Sequence, residues 1–158
     1  RSQRQAATNL PTLSHMLWFD TEAEAAANFY VGVFDGVIHG VNRSPDGSVF
    51  TVDFSILGSR YTALNGGPHF TFSEAFSIFI TVDSQAEVDK YWDALLADGG
   101  EPGQCGWLKD RFGLSWQIVP KQLGVCLGNP DPVKSARAMQ AMLSMSKLIV
   151  AELEAAVA

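Results

Sequence analysis

The sequence predicts an α+β fold built from two tandem βαβββ modules and a C-terminal helical extension, and three observations carry that reading. First, Asp20, Thr21, Glu24, Asp35 and Gly36 recur at one constant spacing as Asp83, Ser84, Glu87, Asp98 and Gly99. In each copy an apolar run ends at Asp, a hydroxyl residue and a Glu three positions on open a helical pattern, and Asp-Gly closes it. Second, each copy is followed by short stretches of alternating apolar and polar residues separated by turn residues. Third, residues 121–158 lie outside the repeat and carry helical spacing.

The elements follow in order. Residues 1–12 are polar and form an expected tail that is not a targeting peptide. Ser14 to Phe19 is the first strand, and Thr21 is placed to cap a helix by accepting from the amide of Glu24. Ala25, Phe29, Val33 and Phe34 are expected on that helix's apolar face, with Gly36 as its permissive stop. Strands at Val37 to Asn42, Ser48 to Leu57 and Arg60 to Leu64 follow, joined by Pro45-Asp46-Gly47 and Gly58-Ser59 turns. After a Gly- and Pro-containing connector, Ala75 to Val82 opens the second copy. Ser84 and Glu87 cap its helix, whose apolar face is Val88, Tyr91, Trp92, Leu95 and Leu96. Gly103 to Asp110 and Leu114 to Val119 are its later strands, turning at Arg111-Phe112-Gly113. Residues 13–67 and 74–120 are therefore two modules of one expected domain. In the extension, Asp131-Pro132 starts a helix with Ala136, Met139, Met142 and Leu143 on one face, a stripe suited to core packing or a subunit contact. A last helix is expected from about Lys147, presenting Ile149, Leu153, Ala156 and Val157.

At 158 residues and 47% hydrophobic, the chain has enough apolar side chain to fill a core without disulfides or a structural metal. Its net charge of −6 is the wrong sign for a phosphate backbone, so no nucleic-acid partner is expected. No apolar run approaches the roughly 20 residues of a membrane helix, so no membrane partner is expected. Two cysteines, Cys105 and Cys126, suggest reduced thiols in a cytoplasmic protein rather than a disulfide framework.

Several segments resemble the vicinal oxygen chelate superfamily, which includes glyoxalase I, bleomycin resistance proteins and extradiol dioxygenases. They are Leu17-Trp18-Phe19-Asp20, Asn28-Phe29-Tyr30, Ala63 to Phe70 and Cys105 to Gly113, with Ser115-Trp116-Gln117 on the last strand. The likeness is nearest to the PhnB-like branch and runs from about Leu13 to Pro120. It implies that each module curls into a half-barrel, that the two halves form a ligand cleft, and that two chains pair as a homodimer.

In metal-using members of this superfamily, His, Gln or Glu ligands come from the first and last strand of each module. Imidazole and carboxylate donors must there converge at about 2.0 to 2.2 Å on one ion. Here those places hold His15, Asn65, Ser77 and Gln117. One imidazole and two amides make a poor divalent site, so no cofactor and no metal are expected.

The expected ligand pocket comprises His15, Asn65, His69, Trp107, Lys109 and Gln117. Cys105, Trp107 and Lys109 alternate, as do Ser115 and Gln117, so an aromatic wall and polar handles would share one side of the sheet. The same alternation also fits a half-buried sheet with Lys109 snorkelling to water. His39 is expected on the surface. His69 follows Gly66-Gly67-Pro68 in a loop those residues would shape.

The leading expectation is metal-free binding of a small molecule. The alternative is a metal-dependent lyase, isomerase or dioxygenase using His15 with His69, Glu74 or Gln117. A third reading makes 121–158 a recruiting module for another protein. Some PhnB-like proteins carry a demethylubiquinone methyltransferase name. This chain has no glycine-rich first turn and no alternating parallel βα units, which gives methyl transfer little support.

Overall fold

The computed structural model describes residues 9–158. The expected N-terminal tail therefore lies largely outside the described residues. Two compact units divide the chain, the first ending at Thr71 and the second running from Phe72 to Ala158.

The first unit is βαβββ: β1 (His15–Phe19), α1 (Ala23–Phe34), β2 (Val37–Arg43), β3 (Val49–Ile56) and β4 (Ser59–Asn65). Its sheet has the order β1-β4-β3-β2, with β1 parallel to β4 and the other pairs antiparallel. The period of 2 fixes which side chains meet α1. Leu17 and Phe19 on β1, Val52, Phe54 and Ile56 on β3, and Tyr61 and Ala63 on β4 are all buried.

Two expectations about α1 are corrected. Its buried face is Ala23, Ala26, Ala27, Tyr30 and Phe34, while Ala25 is exposed. Three alanines let the helix approach closely, and Tyr30 then lies 6.1 Å from Phe54, ring centroid to ring centroid. The Thr21 cap is also not formed. Glu22 stands at the N-cap with no side-chain cap bond, and the Ala23 amide is taken instead by Asn65 Oδ1 at 2.8 Å.

The stop is likewise made differently. Asp35 adopts the left-handed conformation (φ 53°) and its amide donates to Val31. Gly36 is needed for space, since a Cβ there would lie 2.2 Å from the Ser55 carbonyl oxygen on β3. In the second copy Ala97 is the C-cap, its amide donating to the Ala94 carbonyl, and the left-handed Asp98 (φ 61°) follows it.

The second unit contains β5 (Ile78–Val82), α2 (Gln85–Leu96), β6 (Glu101–Pro102), β7 (Trp107–Lys109) and β8 (Ser115–Pro120). Its sheet has the order β5-β8-β7-β6, with β5 parallel to β8. Here the capping box forms: Ser84 Oγ accepts from the Glu87 amide at 3.2 Å, and Glu87 Oε1 accepts from Asp83 N at 3.2 Å. Val88, Trp92 and Leu95 of α2 are buried, as are Ile78, Ile80 and Val82 of β5, Leu108 of β7, and Trp116 and Ile118 of β8.

The expected strand from Gly103 to Asp110 is interrupted. Cys105 and Gly106 have φ values of 58° and 86°, which no strand tolerates, so only Trp107–Lys109 pair with β8 and a short β6 forms upstream.

Three helices complete this unit: α3 (Lys121–Leu127), α4 (Pro132–Leu143) and α5 (Val150–Ala156). Asp131 Oδ1 accepts from Val133 N at 2.9 Å, with Pro132 in the first turn as expected. The α4 face is corrected. Ala138 is buried, and Ala141 and Met142 pack on a cluster of Val119, Leu123, Cys126, Leu148 and Leu153, whereas Met139 and Leu143 are 42% and 54% exposed. Small alanines on that face let α4 sit close to its neighbours. No described helix is long and apolar enough to cross a membrane.

Candidate functional site

In the second unit α2 covers one face of the sheet, and alternation sends Trp107, Lys109, Ser115 and Gln117 to the other. The register places them as neighbours, with Trp107 opposite Gln117 and Lys109 opposite Ser115. On β6, Glu101 faces Lys109. The next residue on that side is Gly103, whose amide donates to the Trp107 carbonyl at 2.8 Å. A Cβ at Gly103 would meet that oxygen at 2.9 Å, so glycine lets the two backbones approach here.

These residues enclose a cavity of about 480 Å³ lined by Glu74, Glu101, Cys105, Trp107, Lys109 and Ser115 among others. Lys109 Nζ pairs with Glu74 Oε1 on the connector before β5. The hydrogen bond from Lys109, and then its charge, hold the Glu74 carboxyl below its ordinary value. The bond to Glu74 conversely raises the Lys109 ammonium, with Glu101 adding to the effect. Lys109 therefore stays charged wherever the protein is folded at neutral pH.

Ser115 is the group that local structure leaves unfinished. It is 1% exposed, lines the cavity, and its Oγ has no hydrogen-bond partner among the described residues. Gln117 is occupied, donating through Nε2 to Ser77 Oγ at 3.0 Å.

The site is framed by the turn that ends β7. Asp110, only 3% exposed, accepts from Phe112 N at 2.9 Å, Leu114 N at 3.1 Å and Trp116 Nε1 at 2.9 Å. Gly113, at φ 87°, closes the turn. This fixes the offset between β7 and β8, and with it the spacing of Trp107, Lys109 and Ser115.

The other expected site residues lie in the first unit. His15 is exposed at the start of β1, on the face shared with Leu17 and Phe19, with its ring 5.3 Å from Tyr61. Asn65 lies at the far end of the paired strand, because β1 and β4 run parallel with His15 opposite Tyr61 and Phe19 opposite Asn65. The Asn65 side chain is committed to structure, accepting from Ala23 N and donating to the Val49 carbonyl at 3.0 Å. His69 is exposed in the following loop, where Trp18 Nε1 donates to the Gly67 carbonyl at 2.9 Å and Phe70 meets Trp18 edge-on.

His39 is exposed, with Nε2 2.9 Å from Ser55 Oγ. The donor set does not fit a divalent ion: among the described residues no three His, Cys, Asp or Glu side chains are grouped as metal ligands would be. Cys126 is buried, which pushes its thiol pKa up and makes it a packing residue.

Sequence reasoning missed two groups. Glu101 belongs to a strand of two residues, too short for an alternation signal. The unpartnered hydroxyl of Ser115 depends on tertiary surroundings that alternation alone does not reveal.

Comparison with known proteins was made by family, by curated sequence and by structure. The family described as 3-demethylubiquinone-9 3-methyltransferase matches residues 11–119. No curated protein matches the chain in sequence. Among solved structures, a PhnB protein from Bacillus cereus, provisionally named a 3-demethylubiquinone-9 3-methyltransferase, is 27% identical with a TM-score of 0.64, covering 70% of this chain and 99% of its own. A protein from Pseudomonas aeruginosa is 19% identical with a TM-score of 0.59, covering 70% and 98%. A glyoxalase-related enzyme from Fulvimarina pelagi is 17% identical with a TM-score of 0.50, covering 72% and 91%. The two βαβββ units and the match over 11–119 agree on one conclusion: the chain belongs to the family described as 3-demethylubiquinone-9 3-methyltransferase.

Proposed function

We propose that this protein binds a small organic molecule, without a metal, in the cavity bounded by Trp107, Lys109 and Ser115. The observation that carries the reading is Ser115, which lines the cavity and whose buried hydroxyl lacks a partner among the described residues. An unpaired buried hydroxyl costs about 1–3 kcal/mol, so a fold that retains one beside a cavity is suited to a ligand that completes the bond. Trp107 supplies an apolar wall, which matches the composition of small-molecule sites: mostly apolar lining with a few placed polar groups. Gln117, opposite Trp107 on β8, is proposed as a further contributor from the same face of this sheet.

The family's description is not carried over as a reaction. Two mixed four-stranded sheets differ from the doubly wound parallel sheet on which class I methyltransferases hold their cofactor. Pairing with a second copy, which the family resemblance implies, is checked by sedimentation equilibrium, where a monomer at all concentrations would overturn it.

The test of binding is Ser115→Ala, read by both calorimetry and thermal melting against a metabolite collection. The variant is expected to melt at or above the wild-type temperature, because a strained polar group has gone, while losing affinity for any hit by about tenfold, the worth of one hydrogen bond to a buried group. A hit whose affinity is untouched by both Ser115→Ala and Trp107→Phe would overturn this location.

A further inference from the structure

We propose that the cavity selects flat, uncharged or cationic molecules and rejects anions. This rests on the binding reading above and goes further in naming the ligand's charge and shape. Two carboxylates, Glu74 and Glu101, line the cavity against one ammonium, Lys109. That ammonium is already engaged by Glu74, and Glu101 stands opposite it across the β6–β7 pair. An incoming anion must therefore displace Glu74 from Lys109 while approaching Glu101, in a chain whose net charge is −6. A cation meets the reverse situation. Glu101 offers a carboxylate whose neighbouring ammonium is shared, and Trp107 lines the same cavity with an indole, the side-chain ring that attracts positive charge best.

Shape follows from Trp107, whose indole lines the cavity and suits a planar group stacked on it. Polarity follows from Ser115, whose buried and unpartnered hydroxyl can both donate and accept and so completes a bond with a neutral polar atom at the ligand's edge. This hydroxyl is the observation, independent of the charges, that marks the cluster as a site.

The test is calorimetric titration of the full chain with three probes of one shape, at neutral pH and low ionic strength: N-methylquinolinium, quinoline and quinoline-4-carboxylate. The cation is expected to bind about tenfold more tightly than the carboxylate, with quinoline between them. Glu101→Gln is expected to shrink the cation-to-anion ratio about fivefold, whereas Trp107→Phe and Ser115→Ala weaken all three probes together. Equal or tighter binding of the carboxylate, still weakened by Trp107→Phe, would overturn the charge preference and leave the pocket standing. No heat from any probe, or binding indifferent to both Trp107→Phe and Ser115→Ala, would overturn the pocket and the preference with it.

Discussion

Asp110 ties the β7–β8 turn to the core of the second unit. Its carboxylate accepts from two backbone amides of its own turn and from the indole of Trp116, which is fully buried. Asp110→Ala removes both acceptor oxygens, and with them three hydrogen bonds, and takes the Asp110 acceptor from Trp116 Nε1 in the core. The expected loss is about 2–4 kcal/mol by denaturant titration, because a buried unsatisfied donor costs more than the net worth of a hydrogen bond. Asp110→Asn is expected to recover only part of it, since an amide keeps one acceptor oxygen for the turn but sets an NH₂ against the indole N–H. A loss below about 0.5 kcal/mol for Asp110→Ala would show that water replaces these bonds. The turn itself was legible in the sequence from Asp110 and Gly113. The indole bond was not, because it depends on Trp116 pointing toward α2, which only the register of β8 decides.

At the scale of elements, the two copies of one capping pattern behave differently, because the first helix starts one residue later in the repeat and draws its cap from another strand. Thr21 and Ser84 are equivalent in the sequence repeat, yet Ser84 is an N-cap and accepts from its helix, whereas Thr21 precedes the N-cap Glu22. In the first copy Asn65 reaches over from the end of β4 and takes the Ala23 amide, so the helix start is satisfied by tertiary structure rather than by its own cap. Ser84→Ala is accordingly expected to cost about 1 kcal/mol, and Thr21→Ala almost nothing. Asn65→Ala should cost more than Thr21→Ala, because it also frees the Val49 carbonyl. The three melting curves measured together check this, and a Thr21→Ala effect equal to that of Ser84→Ala would contradict it. The repeat in the sequence therefore identified strand, helix and stop in both copies, but local spacing could not say which cap would be displaced. The same limit explains Asn65 itself: its place at a strand end was readable, whereas its use as a helix cap required knowing that β1 and β4 run parallel. It also explains Cys105, where alternation with Trp107 and Lys109 suggested a continuous strand that the left-handed backbone at Cys105 interrupts.

At the scale of the molecule, the C-terminal helices are part of the second unit rather than an addition to it. The segment between α4 and α5 is hydrogen-bonded onto the β6–β7 turn: Cys105 N donates to the Met145 carbonyl and Gly106 N to the Ser146 carbonyl, each at 2.8 Å, and Ser146 Oγ donates to the Gly103 carbonyl at 2.6 Å. Gln85 at the start of α2 holds the same segment from the other side. It donates to the Leu148 carbonyl at 3.0 Å and accepts from Val150 N at 2.7 Å. Leu148, fully buried, fills the space above Gly106. Deleting 121–158 would uncover Val119 and leave two turn amides beside the cavity without acceptors. The truncated chain is expected to unfold its second unit or aggregate. A folded remainder with intact melting would instead favour a recruiting module. One charge contact in this seam gives the dependence on pH. Asp89 is held below the ordinary carboxylate value of 3.8, first by the Gln85 side chain and then by Lys147. A carboxyl depressed in the folded state stabilises it above its unfolded pKa, and that stabilisation disappears as pH falls through the folded pKa. The melting difference between wild type and Asp89→Asn should therefore be positive at neutral pH, small because the pair is partly exposed, and lost in acid below that value. A difference that persists unchanged into acid would mean that Asp89 acts through packing rather than charge, and the seam would then be held by its backbone hydrogen bonds, Gln85 and Leu148 without an ionic contribution.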